Sequence, residues 1–322
     1  YACRNPNWNV IGIDLSENSL AHQKKLKERH GLDNLRLGKL DLANINKLGE
    51  SFDFIVSTGV LHCLPDPHAG LAALRDVLRP DGVINLMVYG QSLRLGVYMM
   101  QEVFKTLGFE RSHEDIEIIK RTVGDLSSSH VLYRYLENAP DLHYDAAYVD
   151  TFLPAIDRGY YVNQIYEFTR KAGLEFLSWC DPAEYSLEIM VPKNHPLWTK
   201  MKHLSPEISA HVCDLLTQNR GTHRWAVAHP EYVKKTQIPF GSEKLLECSV
   251  ILQRFATLRQ ETQGASNNLS YCERGNHTYE IHPVVYEIIL KSNGSLKIGH
   301  ILSRTKWQNF SPTVLFEIVS DQ

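Results

Sequence analysis

Short apolar runs that stop at an acidic residue, each followed by a helix-like segment, dominate the first 90 residues of the chain. In the stretch NWNVIGIDLSENSL, residues 10–13 have the character of a buried strand that ends at Asp14. Ser16 is a suitable N-cap for the helix that follows, and Gly31 is a suitable stop. The next run, residues 35–42, also alternates like a strand and ends with Asp41 and Leu42.

Two further strands are predicted at residues 54–57 and 83–89, with one helix between them. The apolar face of that helix consists of Leu71, Leu74, Val77 and Leu78. A turn at residues 80–82 is predicted to lead from the helix into the second strand. Strands separated by single helices indicate βαβ units, so the chain is predicted to form a doubly wound, Rossmann-like α/β fold with a mostly parallel sheet.

The two strand-end acids are the first candidate site residues. Ligands of open α/β sheets bind beyond the carboxyl ends of the strands, where Asp14 and Asp41 are expected to lie. Carboxylates there can accept hydrogen bonds from sugar hydroxyls or an exocyclic amine, which suits a nucleoside. The alternative is that each aspartate only caps the helix or turn after it.

Composition and charge exclude several other classes. The 322 residues are enough for about two domains. A formal charge of −3 gives no electrostatic reason to expect nucleic acid or an anionic membrane as a partner, and no apolar run approaches the ~20 residues of a bilayer span. The six cysteines are dispersed without a Cys-x-x-Cys pair, which favours reduced thiols and a cytoplasmic protein.

Several segments together carry a family resemblance. VIGIDLS, the LDL that contains Asp41, STGVLHCLPDP and LRPDG resemble the class I S-adenosylmethionine-dependent methyltransferases, of the type 11/12-like kind. The likeness runs from residue 1 to about 230 and is strongest through Gly90. Two positions depart from the family pattern: Cys63 stands in place of a histidine and Asp81 in place of a glycine.

The resemblance implies S-adenosylmethionine as the cofactor. Asp14 would bind the ribose hydroxyls, Asp41 would receive the adenine amine, and the backbone at residues 57–59 would pass the methionine portion. The residues implied for cofactor binding are Asp14, Leu15, Asp41, Leu42, Ser57, Thr58 and Gly59. His62 is implied near the methyl-transfer centre as the candidate catalytic base, with simple packing as the alternative. No metal site is predicted, because His62, Cys63 and His68 fit no standard ligand spacing.

The glycine-rich loop that opens this family's cofactor site does not occur in the sequence. Its expected place is directly upstream of Tyr1, so we interpret the chain as truncated at its N-terminus and expect weakened cofactor binding. A nicotinamide-dependent dehydrogenase also places an acid at the end of its second strand and is the alternative within this fold. The second acid, Asp41, and the GVLHCLPDP segment favour the methyltransferase.

We predict two domains. Residues 1–232 form the methyltransferase domain, with an inserted helical lid at about 90–160 whose aromatic side chains either shape a substrate pocket or pack the inserted helices. These aromatic residues are Tyr144, Tyr148, Phe152, Tyr160 and Tyr161. Residues 239–322 form a small α+β, winged-helix-like domain that resembles the regulatory-type domain of some methyltransferases.

The C-terminal domain is not predicted to bind DNA, because residues 239–322 contain eight Lys or Arg against eight Asp or Glu. It is interpreted as a docking or homodimerisation module, with a passive appendage as the alternative. For the whole chain we predict in-line methyl transfer to an acceptor, either a small molecule or a protein, with no nucleic-acid or membrane partner. The alternative from another class is a non-catalytic binding or regulatory protein on the same fold.

Overall fold

The computed structural model divides the chain into two compact units, Tyr1–Lys234 and Lys235–Gln322. It describes residues 1–139, 142–191, 194–201, 203–218, 221–236, 243–249, 256–263, 267–274, 277–292, 294–309 and 314. Each unit is described by itself.

The first unit alternates strands and helices as the sequence predicts. Its strands are β1 (Val10–Asp14), β2 (Leu35–Lys39), β3 (Phe52–Thr58), β4 (Leu78–Gly90), β5 (Gly159–Tyr160), β6 (Glu175–Trp179) and β7 (Thr222–Ala228). Its helices are α1 (Glu17–His30), α2 (Pro67–Asp76), α3 (Gln91–Thr106), α4 (His113–Gly124), α5 (Tyr133–Leu136), α6 (Asp145–Phe152), α7 (Val162–Lys171), α8 (Leu187–Met190), α9 (Trp198–Met201), α10 (Pro206–Thr217) and α11 (Pro230–Thr236).

These strands form two sheets. Strands β1 and β2 pair in parallel, and a second sheet has the order β3-β4-β7-β6, with β5 beside the end of β4. The pairs β3/β4 and β4/β5 are parallel, whereas β7 runs antiparallel to both β4 and β6. The predicted α/β, Rossmann-like architecture is therefore confirmed.

The first helix begins and ends where the sequence predicts. The Ser16 side chain accepts a hydrogen bond from the backbone N–H of Ser19, and Gly31 has φ +58° after the last residue of α1. The four predicted apolar residues are each 6% exposed or less and join the same core, but only Leu71 and Leu74 belong to α2. Val77 is the C-cap of the helix, and Leu78 already belongs to β4. Capping and periodicity are local signals, which is why the sequence alone located both helices.

The predicted turn at residues 80–82 is wrong. Strand β4 already begins at Leu78, and its register with β3 jumps from the pair Phe52–Leu78 to the pair Phe54–Val83. A side chain at Gly82 would approach the Phe52 carbonyl oxygen to 2.9 Å. The segment that reads as a helix-to-strand turn is therefore an irregularity inside the strand pairing, tolerated because glycine allows the backbones to come close.

The insertion between β4 and β5 contains the helices α3–α6 and has its own apolar core. That core consists of Val97, Met100, Phe104, Ile119, Val123, Leu132 and Phe152. Leu107, the C-cap of α3, is 66% exposed, although it follows the apolar positions of that helix at helical spacing. Helix α3 ends at Thr106, so the helical period no longer governs where the next side chain points.

In its described residues, the second unit contains a three-stranded antiparallel sheet, two α-helices and a short 3-10 helix at Glu243–Glu247. The strands are β8 (Ala256–Gln263), β9 (Asn267–Arg274) and β10 (His277–Ile281), and the helices are α12 (Pro283–Lys291) and α13 (Ile298–Leu302). Val284, Ile288, Ile298, Ile301 and Leu302 form its core. The predicted winged-helix identity of this unit is not confirmed and stays a prediction. Among the described residues of the whole chain, no helix is both long enough and apolar enough to span a bilayer.

Candidate functional site

One cleft contains most of the predicted cofactor residues. It runs along β1 and β3 to their carboxyl ends, and the segment that follows β2 also lines it. It has a volume of about 360 Å³, and we call it the strand-end cleft. Five predicted residues line it: Asp14, Leu15, Asp41, Leu42 and Ser57. Strands β1 and β3 both contribute to its walls, and each has one hydrogen-bonded neighbour strand among the described residues.

The two strand-end carboxylates cap the backbone with one oxygen each. Oδ1 of Asp14 accepts a hydrogen bond from the backbone N–H of Ser16 at 2.9 Å, and Oδ1 of Asp41 accepts one from Ala43 at 2.9 Å. No partner is found for Oδ2 of either residue in the described part of the chain. The capping alternative therefore describes one oxygen of each carboxylate, and the other oxygen remains able to accept a ligand hydrogen bond.

The rest of the cleft suits a ligand with both polar and aromatic parts. Leu15 is 57% exposed at the cleft, where a flat ring could cover it. Ser57 is buried, and its Oγ has no hydrogen-bond partner among the described residues. A buried hydroxyl without a partner is uncommon in proteins, so this Oγ is a candidate ligand contact. The residues present thus fit a nucleoside with a polar tail.

Thr58 and Gly59 continue beyond Ser57 but do not enter the same cleft. Thr58 is exposed at the end of β3, and Gly59 has φ +76° and donates its N–H to the Met87 carbonyl oxygen at 3.2 Å. Because φ is positive, a residue with a side chain would be strained at position 59. Gly59 lines a second cavity instead.

We call this second cavity, of about 460 Å³, the Tyr89 cavity. Gly59, Cys63 and Tyr89 line one part of it, the helix α6 contributes Ala146, Val149 and Asp150, and residues 154–157 and Arg111 complete it. Since Ser57 borders the strand-end cleft and Gly59 borders the Tyr89 cavity, the two spaces adjoin the same end of β3.

Proton-donating groups of the Tyr89 cavity stay protonated at neutral pH. Loss of solvent raises the pKa of the Cys63 thiol to about 11, with Asp157 and Asp150 adding to the shift. Burial likewise raises the pKa of the Tyr89 phenol to about 12, against the opposing effect of Arg94. A thiol is far less nucleophilic than a thiolate, so Cys63 reacts more slowly with an electrophile than an ordinary cysteine does.

His62 is fully enclosed beside this cavity. Its ring centroid lies 4.0 Å from that of Tyr89, and neither ring nitrogen has a partner among the described residues. Burial lowers the pKa of His62 to about 4, with Asp157 opposing the shift and Arg94 adding to it. The imidazole is therefore neutral at pH 7, and its catalytic role stays a prediction.

Three of the five aromatic residues that were predicted either to shape a substrate pocket or to pack the inserted helices pack against phenylalanine rings. Phe152 packs edge-on against Phe104, Tyr148 packs against Phe152, and Tyr160 packs against Phe168. Tyr144 is 71% exposed. None of the five predicted aromatic residues, all of them in the described part of the chain, lines the Tyr89 cavity.

Sequence reasoning missed a buried ion pair behind the Tyr89 cavity. The Arg94 guanidinium lies 2.6 Å from Oδ2 of Asp157, and both side chains are 3% exposed. A signal was available: Arg94 precedes the core residue Val97 by three positions on α3, so it lies on the buried face of the helix. A charged residue at such a position requires a partner.

Comparisons with known proteins indicate a methyltransferase domain at the start of the chain. Residues 1–84 match the model of a methyltransferase domain. The chain is 28% identical over 207 residues to the uncharacterized protein syc1184_c of Synechococcus sp.. The matched region covers 62% of this chain and 50% of that protein. It is 29% identical over 138 residues to the demethylmenaquinone methyltransferase of Staphylococcus haemolyticus, covering 40% of this chain and 56% of that one.

The structure is similar to that of PKMT2 from Rickettsia typhi in complex with AdoHcy, with a TM-score of 0.61 and 18% identity, covering 98% of this chain and 65% of that one. At this identity the likeness concerns the fold alone. The matched domain and the methyltransferase relative agree with the resemblance to S-adenosylmethionine-dependent methyltransferases, and the solved structure agrees with it in fold. The chain spans about half the length of the two sequence relatives, so the activity of the whole protein is a matter of proposal.

Proposed function

We propose that the protein transfers a methyl group from S-adenosylmethionine to an acceptor bound in the Tyr89 cavity. One observation carries the proposal: Asp14, Asp41 and Ser57 line one cleft, and Gly59, two residues further along the chain, lines the next cavity. This arrangement offers a nucleoside site and an acceptor site at the end of one strand.

The residues of the chain would divide the work as follows. Asp14 accepts hydrogen bonds from the ribose hydroxyls, Asp41 accepts one from the adenine amine, and Leu15 covers the ring. The Ser57 hydroxyl meets the polar tail, and the turn at Gly59 leads into the acceptor cavity. When bound, the cofactor supplies an electrophilic methyl group on a sulfonium centre.

The bound cofactor would supply its methyl group to a lone pair of the acceptor, with the sulfur keeping the electron pair of the bond it loses. The residues that line the Tyr89 cavity would hold the acceptor atom in line with that bond. An acceptor that arrives protonated must also lose a proton to water or to a base. Orientation supplies most of the rate in such a reaction, so the walls of the Tyr89 cavity matter more than a strong base.

The test is calorimetric titration of S-adenosylhomocysteine into the protein produced from its complete coding sequence. We expect micromolar binding and at least a tenfold weaker affinity for Asp14→Ala, because the variant loses the ribose hydrogen bonds, each of which contributes ~1–3 kcal/mol. Asp33→Ala, at an exposed position outside the cleft, is the matched control and should bind like the parent.

Two results would contradict the proposal. If the folded protein does not bind S-adenosylhomocysteine, the nucleoside site is wrong. If it binds but forms no S-adenosylhomocysteine from S-adenosylmethionine with any of a broad panel of amine, hydroxyl, thiol and carboxylate compounds and proteins, the non-catalytic alternative is favoured.

A further inference from the structure

Residues 153–158, which we call the strap, connect α6 to β5 and separate two cavities. Residues 154–157 line the Tyr89 cavity on one side. The same residues line a larger cavity of about 880 Å³, which also involves Tyr98, Gln101 and Phe109. The strap is therefore a wall that the two spaces share, and its position sets the size of the Tyr89 cavity.

Hydrogen bonds to distant parts of the first unit hold the strap at several points. Arg158 of the strap donates hydrogen bonds to the carbonyl oxygens of Leu64 and Pro65, and Arg111 donates to the Leu153 carbonyl oxygen at 3.1 Å. These three hydrogen bonds are exposed or only partly buried. The Arg94–Asp157 ion pair is the buried anchor, and Gln101 adds a 3.0 Å hydrogen bond to the same Asp157 oxygen.

Arg94 also contacts the opposite wall. Its guanidinium carbon lies 3.8 Å from the centroid of the Tyr89 ring, within the range of a cation–π contact. Tyr89 in turn packs against His62. One planar cation thus touches the strap through Asp157 and touches the wall formed by Tyr89. Lysine has neither the plane nor the forked donors that both contacts use.

We propose that Arg94, held by Asp157, is a positioning residue for methyl transfer that fixes the strap and the Tyr89 ring as the two walls between which the acceptor binds. The inference rests on the proposed function, because it takes the Tyr89 cavity as the acceptor site. Arg94 does not line that cavity itself and acts through the groups that do. A displacement of such walls by about 1 Å is enough to lower a transfer rate about 100-fold.

Cys63 provides a reporter inside the cavity. Its thiol can be labelled with a small reagent, N-ethylmaleimide, and with a bulky one, fluorescein maleimide, and both rates can be read peptide by peptide in a mass spectrometer. Removing the Asp157 charge also lowers the pKa of Cys63 and speeds both reactions equally. The ratio of the bulky to the small rate is independent of that effect and measures only the width of access.

The variants are Asp157→Asn, which removes the carboxylate of the ion pair, and Arg94→Lys, which keeps the positive charge but replaces the planar guanidinium group. The exposed pair Arg121–Asp125 supplies matched controls, Arg121→Lys and Asp125→Asn. Exposed Cys3 is the internal standard, and buried Cys213 reports general loosening of the first unit. Affinity for S-adenosylhomocysteine is measured on every variant.

We expect the bulky-to-small ratio at Cys63 to rise about tenfold or more in Asp157→Asn and to rise in Arg94→Lys, with Cys3 and Cys213 unchanged. Affinity for S-adenosylhomocysteine should stay within about threefold of the parent. Unchanged ratios in both variants would overturn the positioning role. A parallel rise at Cys213 would also overturn it, because the pair would then only stabilise the fold.

Two further outcomes are provided for: a variant that does not fold, and a parent protein that does not bind S-adenosylhomocysteine. If Asp157→Asn does not fold, the labelling ratio is measured instead on Arg94→Lys and on the double variant Arg94→Met with Asp157→Leu. The double variant is suitable because an apolar pair can replace a buried ion pair without loss of folding. If the parent protein does not bind S-adenosylhomocysteine, the proposed function fails, and with it the methyl-transfer role of Arg94, even where the labelling ratio shows that the pair holds the strap.

Discussion

At the residue scale, several side chains of the site are shared between folding and ligand binding. Asp14 and Asp41 each hold a backbone N–H with one oxygen and leave the other toward the cleft. His62 differs from these aspartates, because its two ring nitrogens are buried and make no hydrogen bond among the described residues. Such a group contributes to stability in a way that depends on pH.

The burial of His62 predicts a loss of stability in acid. Its pKa is about 4 in the folded protein and about 6.5 in an unfolded chain, so the unfolded state binds the extra proton as the pH falls through this window. We expect the parent protein to lose roughly 2–3 kcal/mol more of its free energy of unfolding than His62→Gln between about pH 7 and about pH 4.5. Urea unfolding at several pH values measures the difference.

The control for this prediction is His30→Gln, at an exposed position at the end of α1. Its stability should follow the pH dependence of the parent. If His62→Gln shows the same pH dependence as the parent protein, the imidazole is not held neutral by burial.

At the element scale, the inserted helices depend on one close backbone contact. A Cβ atom at Gly96 of α3 would lie 2.4 Å from the backbone N and Cα of Leu132, a residue that is itself fully buried. Neither backbone can give way easily, because both belong to the core that α3, α4 and α6 share. The glycine therefore sets how near these helices come to the segment at Leu132.

Gly96→Ala is expected to lower the free energy of unfolding by roughly 1–3 kcal/mol, because the added methyl group overfills this contact. Gly124→Ala is the matched control: a Cβ there meets nothing within 4 Å, and alanine is the better helix former by ~1 kcal/mol. Thermal or urea unfolding distinguishes the two. Equal destabilisation by both changes would show that the close contact at Leu132 is not what matters.

At the scale of the whole molecule, each unit has a core of its own. The residues proposed to bind the cofactor and the acceptor all lie in Tyr1–Lys234, whereas Ile288 and Ile301 belong to the core of the second unit. Damage to that second core should therefore remain local. This separation is the physical basis for assigning the chemistry to the first unit.

Ile301→Ala is expected to destabilise the second unit by roughly 2–5 kcal/mol, since it leaves a cavity in a buried cluster. Hydrogen exchange should rise in residues 243–309 and stay unchanged in residues 1–234, and affinity for S-adenosylhomocysteine should stay within about twofold. Faster exchange throughout the first unit would contradict the independence of the two cores.

The sequence by itself determined those features that rest on local signals. The strand-end acids, the caps of α1 and the apolar face of α2 follow from neighbouring residues, and all were located from the sequence. The family resemblance also indicated which strand ends carry the residues proposed to bind the cofactor. Fold class followed from the alternation of strands and helices, because parallel strands need crossover helices.

Only the tertiary structure decided contacts between residues distant in sequence. Arg94 and Asp157 are 63 positions apart, and nothing in either local pattern names the other as its partner. The irregular pairing of β3 with β4 hid a strand inside an apparent turn. In each case strand pairing or burial outweighed local preference, because the free energy of those contacts depends on which segments meet.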